Sequence, residues 1–291
     1  MRGLRLAALL LAVLYAALAL PLVAGSRRLV LRDTNVSHRP LKVFGAQALA
    51  RGEVPALNPT WALGQPWAGN PNALAYYPGN AFYLVLPFEV AFHLHYALHG
   101  LIAFLTMRKL ALATGADPPG ALFAGATYAG SGFVLSTWSF YNILVVAAWA
   151  PLVLWGIQIG TRRALAVGGL ACGLALLGGE PVTAALLVPL MAAVALAKWG
   201  LKGGLGRALA VGALGLAVAA PQLVATARVL AWSQRALEGV DPLVAGAQNL
   251  HPARLLELLL PLPWGSPSDF SRFGFWSKRV TPFTPYIFTL H

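Results

Sequence analysis

Long apolar runs alternate with polar, proline-rich stretches along the 291-residue chain. The first run, Leu4 to Ala24, follows Arg2 and Arg5. It is long enough to cross a bilayer, which takes about 20 residues at about 1.5 Å each. Ala24, Gly25 and Ser26 follow it as they follow a cleavable signal peptide, but the apolar run exceeds the usual core of such a peptide and reads as a retained span. A polar stretch from Gly25 to Phe88 comes next. Apolar runs then resume at Glu89–Thr106, Pro119–Thr137, Ile143–Gly160, Ala164–Leu177, Val182–Ala197 and Ala208–Ala227. The pattern predicts an all-α, polytopic transmembrane bundle of about seven spans with long ordered outer loops. Pro119–Thr137 contains Gly120, Gly125, Gly130 and Gly132, which suits either close packing between helices or a re-entrant segment. Residues 1–227 thus form a transmembrane core that includes outer loop 25–88. Residues 228–291 are an outer-face segment whose end, Pro285 to His291, reads as the start of a further, truncated span.

Composition agrees with the pattern. Hydrophobic residues make up 58% and charged residues 10%, and mean hydropathy is +0.68. A soluble domain carries about 25% charged residues. The net charge of +12 suggests nucleic acid when read alone. Its placement gives a different reading. Arg108 and Lys109, then Arg162 and Arg163, then Lys198, Lys202 and Arg207 lie in alternate short connections, whereas Trp138–Asn142 and Gly178–Pro181 hold no Lys or Arg. Basic residues concentrated on one side orient a membrane protein with that side in the cytoplasm. The N-terminus is then cytoplasmic, both long polar stretches are outside, and the basic excess calls for no nucleic-acid partner. The single Cys172 excludes an internal disulfide framework and a thiolate metal cluster.

The candidate chemistry lies in the outer stretches, which hold most of the prolines and acidic residues. Asp33 is the first carboxylate after the first span, flanked by Arg27, Arg28, Arg32 and Arg39. It reads as a base or metal ligand at the membrane surface, or as a solvated loop acid paired with an arginine. Asn58–Asn80 combines turn formers, amides (Asn58, Gln65, Asn70, Asn72) and flat rings (Trp61, Trp67, Tyr76, Tyr77). Stacking on a ring with a fan of amide hydrogen bonds suits a sugar, and an interfacial aromatic belt accounts for the rings alone. His95 and His99 share a helix face and His93 points away, so no third metal ligand is fixed by spacing and a polar helix–helix role is favoured. Glu180, after Gly178-Gly179 and before Pro181, is either a second outer-face functional acid or an N-terminal carboxylate of the next helix.

Together these residues bear a resemblance. Arg51-Gly52-Glu53-Val54-Pro55, Leu57-Asn58-Pro59, Gly64-Gln65-Pro66, Asn70-Pro71-Asn72 and Tyr77-Pro78 resemble the first outer loop of YfhO-like bacterial membrane proteins, which are related to polyprenyl-phosphate-dependent glycosyltransferases of the GT-C fold. Leu94-His95 with Gly100, Ser131-Gly132-Phe133, Ala148 to Leu152 and Gly178 to Pro181 continue the resemblance in order. It implies a bacterial inner-membrane enzyme. That enzyme would move a sugar from a polyprenyl-phosphate lipid to a cell-envelope glycan acceptor at the outer face. Asp33 matches the place of the catalytic carboxylate. Asn58, Gln65, Asn70, Asn72, Tyr76, Tyr77, Glu180 and Arg39 would bind substrate, and Arg32, Lys42, Arg272, Lys278 and Arg279 are further candidates for the lipid phosphate. The cofactor is left open: a divalent metal is compatible with the chemistry but nothing in the sequence specifies one. Glu180 and Val182 depart from the His and Gln that relatives often carry there. A transporter or flippase, and a non-catalytic envelope assembly protein of the same fold, are the alternatives.

Overall fold

The computed structural model describes residues 2–29, 33–61 and 63–239, with Leu256 and Leu260 beyond them. Helix α1 (Arg2–Val23) is apolar on every side and almost unburied, with Leu6, Leu9, Val13, Leu14 and Leu18 exposed. Such a surface is compatible with a helix solvated by lipid. Tyr15 ties α1 to the bundle by donating its hydroxyl to the Ala97 carbonyl. The outer loop then begins with a π-helical turn, Thr34–His38, that runs into α2 (Arg39–Ala50). Strands β1 (Leu57–Asn58) and β2 (Gln65–Pro66) pair antiparallel in the register Leu57 to Pro66 and Asn58 to Gln65. This short ladder is an addition to the all-α expectation. Two 3₁₀ turns, Pro71–Ala73 and Pro78–Ala81, and α3 (Phe82–Val85) lead to Pro87, where α4 (Phe88–Ala113) starts.

The remaining helices are α5 (Pro118–Ala129), α6 (Gly132–Ser136), α7 (Ile143–Ile159), α8 (Arg162–Leu177), α9 (Pro181–Ala185), α10 (Leu187–Leu230) and α11 (Gln234–Leu237). Side-chain caps mark their starts: Asp117 accepts from the Gly120 amide, Ser131 from Val134 and Thr161 from Ala164. Three stretches are long and apolar enough to cross a membrane: Gly3–Val23, Phe88–Ala113 and Pro181–Leu230. Ile143–Ile159 is a shorter apolar helix.

The run expected as one span at Pro119–Thr137 is broken. The α5 helix ends at Gly130, and Ser131 opens a new cap. Its 12 residues rise about 18 Å, short of a crossing. The long α10 helix is interrupted at Gly200, whose φ of 66° and ψ of −179° no helix contains. The two halves fold back on each other: the Ala195 carbonyl occupies the place of a Cβ on Gly204, and Met191 reaches Gly212. Lys198 and Lys202 therefore flank a turn, as their charge suggests.

The core lies where α7 packs against α4, α8 and α10. Leu144, Val145 and Ala148 of α7 meet Phe92, Tyr96 and Ala103 of α4 on one side, and Val153 and Ile157 meet Ala171, Ala175 and Val211 on the other. Small residues set the helix spacing. Gly156 faces Gly168 backbone to backbone, Gly169 accepts Leu214, and Gly215 sits against Cys172. Glycines let helices approach until backbones touch, which raises the dispersion gain where lipid offers no hydrophobic drive. The groove of about 590 Å³ lined by Leu4, Leu11, Leu122 and Phe123 lies between α1 and α5. It is far from the outer loop along α1, and its walls carry no reactive group.

Candidate functional site

The outer loop folds inward because its first helix is amphipathic. Thr34, His38, Leu41, Lys42, Gly45 and Ala48 recur at helical spacing and are all buried. Trp67 lies across this face: its ring covers Gly45, and its indole N–H donates to the Leu41 carbonyl at 3.1 Å. Lys42 Nζ donates to the Ala73 carbonyl and to Asn80 Oδ1, both at 2.8 Å, and lies 4.9 Å from the centre of the Tyr141 ring. Asn80 donates onward to the Leu74 and Ala75 carbonyls. The backbone turns of residues 70–80 are thus held by side chains, as irregular backbone near a membrane requires.

The loop then reaches the connections before α7 and before α9 and the second half of α10. Thr34 donates to the Trp138 carbonyl at 3.4 Å. Asn142, which caps α7, donates to Asn72 Oδ1 at 2.8 Å. Gln222 of α10 donates to the Ala68 carbonyl at 3.0 Å. At Gly179 the Pro71 carbonyl lies where a side chain would be, and φ is +76°. Alanine at Gly179 carries both a strained φ and an overlap with fixed backbone. Gly179→Ala lowers stability by about 1–3 kcal/mol, the usual cost of overpacking, and thermal unfolding of the purified chain measures it. An unchanged midpoint removes this contact from the account.

The proposed site residues fall into distinct places on this cap. Asp33 is exposed at its rim, before the π turn, and caps no backbone amide. Exposed Arg27 and Arg28 precede it. Arg39 is paired with Glu89 in the first turn of α4 and lies over the Phe88 ring. Asn58 is buried, with Oδ1 accepting from the amide and hydroxyl of Thr60. Asn70 Oδ1 accepts from the Asn72 amide at 3.0 Å. Gln65 is half-buried in β2 and Tyr76 is exposed. Tyr77 is buried, its hydroxyl 2.6 Å from His99 Nε2 and accepting the Trp149 indole N–H at 3.0 Å. Glu180 accepts from the amides of Val182 and Thr183 at the start of α9. It therefore does what a helix N-terminal carboxylate does. Lys42 is fully enclosed. Arg32, Arg272, Lys278 and Arg279 lie outside the described residues.

Asn58 and Asn70 are thus engaged in the loop's own turns, Asn72 bonds Asn142, and Gly179, beside Glu180, lies against Pro71. His93 donates Nδ1–H to the Glu89 carbonyl at 2.8 Å, and its Nε2 lies 3.4 Å from the Leu29 amide. The histidines hold helices and loop together, and no group of three or more His, Cys, Asp or Glu among the described residues is placed to hold a metal ion. His38 was not singled out from sequence. It is buried, hydrogen-bonded to the Asn72 backbone, and its Nδ1 has no partner. Burial and then the Lys42 charge hold its imidazole down to about 4, and burial holds the Lys42 amine down to about 7. The signal for both was the buried stripe from Thr34 to Ala48. No protein-family model, curated protein or solved structure matches the chain.

Proposed function

We propose that the chain is a GT-C-like polytopic glycosyltransferase of about seven spans, placed in a bacterial inner membrane with its N-terminus in the cytoplasm. It moves a sugar from a polyprenyl phosphate to a cell-envelope acceptor at the outer face. The observation that carries this reading is the free carboxylate of Asp33. Among the described residues, Glu53 pairs with Arg51, Glu89 with Arg39, Asp117 and Glu180 cap helices, and Glu238 bonds Gln234. Asp33 alone of the described acids is engaged by no other described group, and it is exposed between α1 and the π turn.

The chemistry needs little more. An acceptor hydroxyl attacks the anomeric carbon, its proton passes to the Asp33 carboxylate, and the lipid phosphate leaves with inversion. Phosphate leaves without a general acid. Its charge calls for cations, and exposed Arg27 and Arg28 are uncommitted where Arg39 and Lys42 are not. Glu180 and the Asn70–Tyr77 turn then border the acceptor.

A second reading, a non-catalytic envelope assembly protein, is favoured by the internal engagement of Asn58, Asn70, Asn72 and Tyr77. The two are separated by supplying membranes that contain the full chain with labelled polyprenyl-phosphate sugar. Labelled envelope glycan supports transfer. Its absence, with the protein folded and donor present, sinks the transferase reading. Movement of an unmodified solute into liposomes by the purified chain points to a transporter instead.

A further inference from the structure

Four basic side chains lie together under residues 70–80 with no acid among them. His38, at the end of the π turn, and Lys42, in the first turn of α2, share the buried face of that continuous helical stretch, and His95 and His99 come from one face of α4. All four are buried. The two ion pairs among the described residues, Arg39 with Glu89 and Arg51 with Glu53, include none of them. Tyrosines close the set: the Tyr141 ring stacks 3.5 Å from that of His95, and Tyr83 and Tyr141 share a hydrogen bond of 3.0 Å.

The hydrogen bonds define the proton each ring carries. His99 Nδ1 is 2.7 Å from the His95 carbonyl, which only accepts, so the proton is on Nδ1. Nε2 then accepts the Tyr77 hydroxyl, and the Tyr77 oxygen accepts the Trp149 N–H. His95 donates from Nε2 to the Tyr141 carbonyl at 3.0 Å. These rings are satisfied as neutral imidazoles. His38 differs, because its Nδ1 meets neither donor nor acceptor. A proton added there has nothing to bond and stands beside the Lys42 ammonium in a closed interior.

The groups that His38 and Lys42 hold all belong to the loop: the Asn72 backbone, the Ala73 carbonyl and the Asn80 side chain. We propose that this basic cluster is an acid-released latch, in which protonation of His38 beside Lys42 puts two uncompensated cations under residues 70–80 and lifts the loop from α2. Of the charged and titratable groups around the pair, His95 from α4 interacts with both, and the Tyr141 ring, before α7, lies 5.9 Å from that of His38 and 4.9 Å from Lys42 Nζ; beyond them stand His99 and Tyr96 from α4, Tyr77 from the loop and Tyr83 from α3. Of the described acids flanking this region, Asp33 is exposed at the start of the π turn and Glu89 is held by Arg39. The inference does not rest on the transferase reading.

The sign follows from where protons bind. In the closed loop the His38 imidazole is held to about 4 against an ordinary 6.5, and the Lys42 amine to about 7 against 10.5. Opening therefore takes up protons, and its equilibrium constant rises about tenfold per unit fall in pH within each window. Lys42 acts above neutrality and His38 in the acid range.

Backbone hydrogen exchange of the full chain in detergent tests this. Corrected for the chemical dependence on pH, exchange of residues 70–80 should rise more than about tenfold between about pH 6.5 and about pH 5, with α8 unchanged. His38→Gln, which keeps an N–H for the Asn72 backbone and cannot take a charge, should flatten that rise. A pH-independent loop, an equal rise in α8, or an undiminished rise in His38→Gln overturns the latch. If the variant does not fold, the wild-type profile of loop against α8 decides by itself.

Discussion

If the chain is the transferase proposed, replacing Asp33 with asparagine should lower sugar transfer by about 10²–10⁴-fold, the range supplied by a positioned base, and leave the amount of folded protein in the membrane unchanged. The second half of this expectation makes the first informative. Asp33 is exposed, caps no amide and pairs with no described cation, so its charge contributes nothing to folding that an amide would lose. Asparagine keeps the shape and cannot accept the proton. Initial rates of labelled-sugar transfer, normalised to folded protein, are the measurement. Transfer at the wild-type rate removes Asp33 as the base. Glu180→Gln makes a useful companion, because Glu180 already accepts two backbone amides. Its loss shows in stability, with a cap worth about 0.5–2 kcal/mol, before it shows in chemistry.

Trp67→Ala has the largest expected effect on stability, about 3–5 kcal/mol. The indole is 1% exposed, lies on Gly45, meets Phe44 edge-on with ring centroids 6.1 Å apart, and donates to the Leu41 carbonyl. Its removal leaves a cavity between α2 and the loop and takes from the Leu41 carbonyl the indole bond that it accepts beside its helical one. The loss is local, because the α7–α8–α10 core shares none of these contacts. Protease resistance should fall within residues 39–80 while the membrane helices stay intact. Equal resistance in the two proteins would show that the cap is held by its other attachments and not by this ring. Gly45→Ala tests the same contact from beneath, since a methyl there meets the indole directly.

The long apolar helices were legible in the sequence because burial in lipid leaves an uninterrupted run as its trace. The turn at Gly200 was legible too, since Lys198, Lys202 and Arg207 stand between two apolar stretches. The break at Gly130–Ser131 was not, because a glycine that ends a helix and a glycine that packs one look alike when both lie in apolar sequence. In the outer loop, order could be read from prolines and aromatics, but partners could not. Asn72 meets Asn142 and Ala68 meets Gln222, across 70 and 154 residues, and no local pattern encodes a contact of that range. The enclosure of Lys42, a candidate for the lipid phosphate by sequence, and of His38 was hidden for a different reason. Charged groups are almost never fully enclosed, so their helical register with Leu41 and Ala48 reads as a solvated edge and not as the centre of an interior. Asp33 was legible as a candidate from its place after the first span alone.

The bond from Gln222 to Ala68 also carries a consequence for biosynthesis. Residues 33–88 leave the ribosome long before α7, α8 and α10, yet Asn142, Gly179 and Gln222 complete their fold. On the proposed topology, the cap would be the first large segment delivered to the far side of the membrane and the last to finish. Until α10 is inserted, its aromatic face has nothing to close against. That interval exposes apolar surface to aggregation and to capture by chaperones. On that topology, synthesis halted before Gln222 should therefore yield an inserted but protease-sensitive segment 33–88, which becomes resistant only when the α10 hairpin arrives.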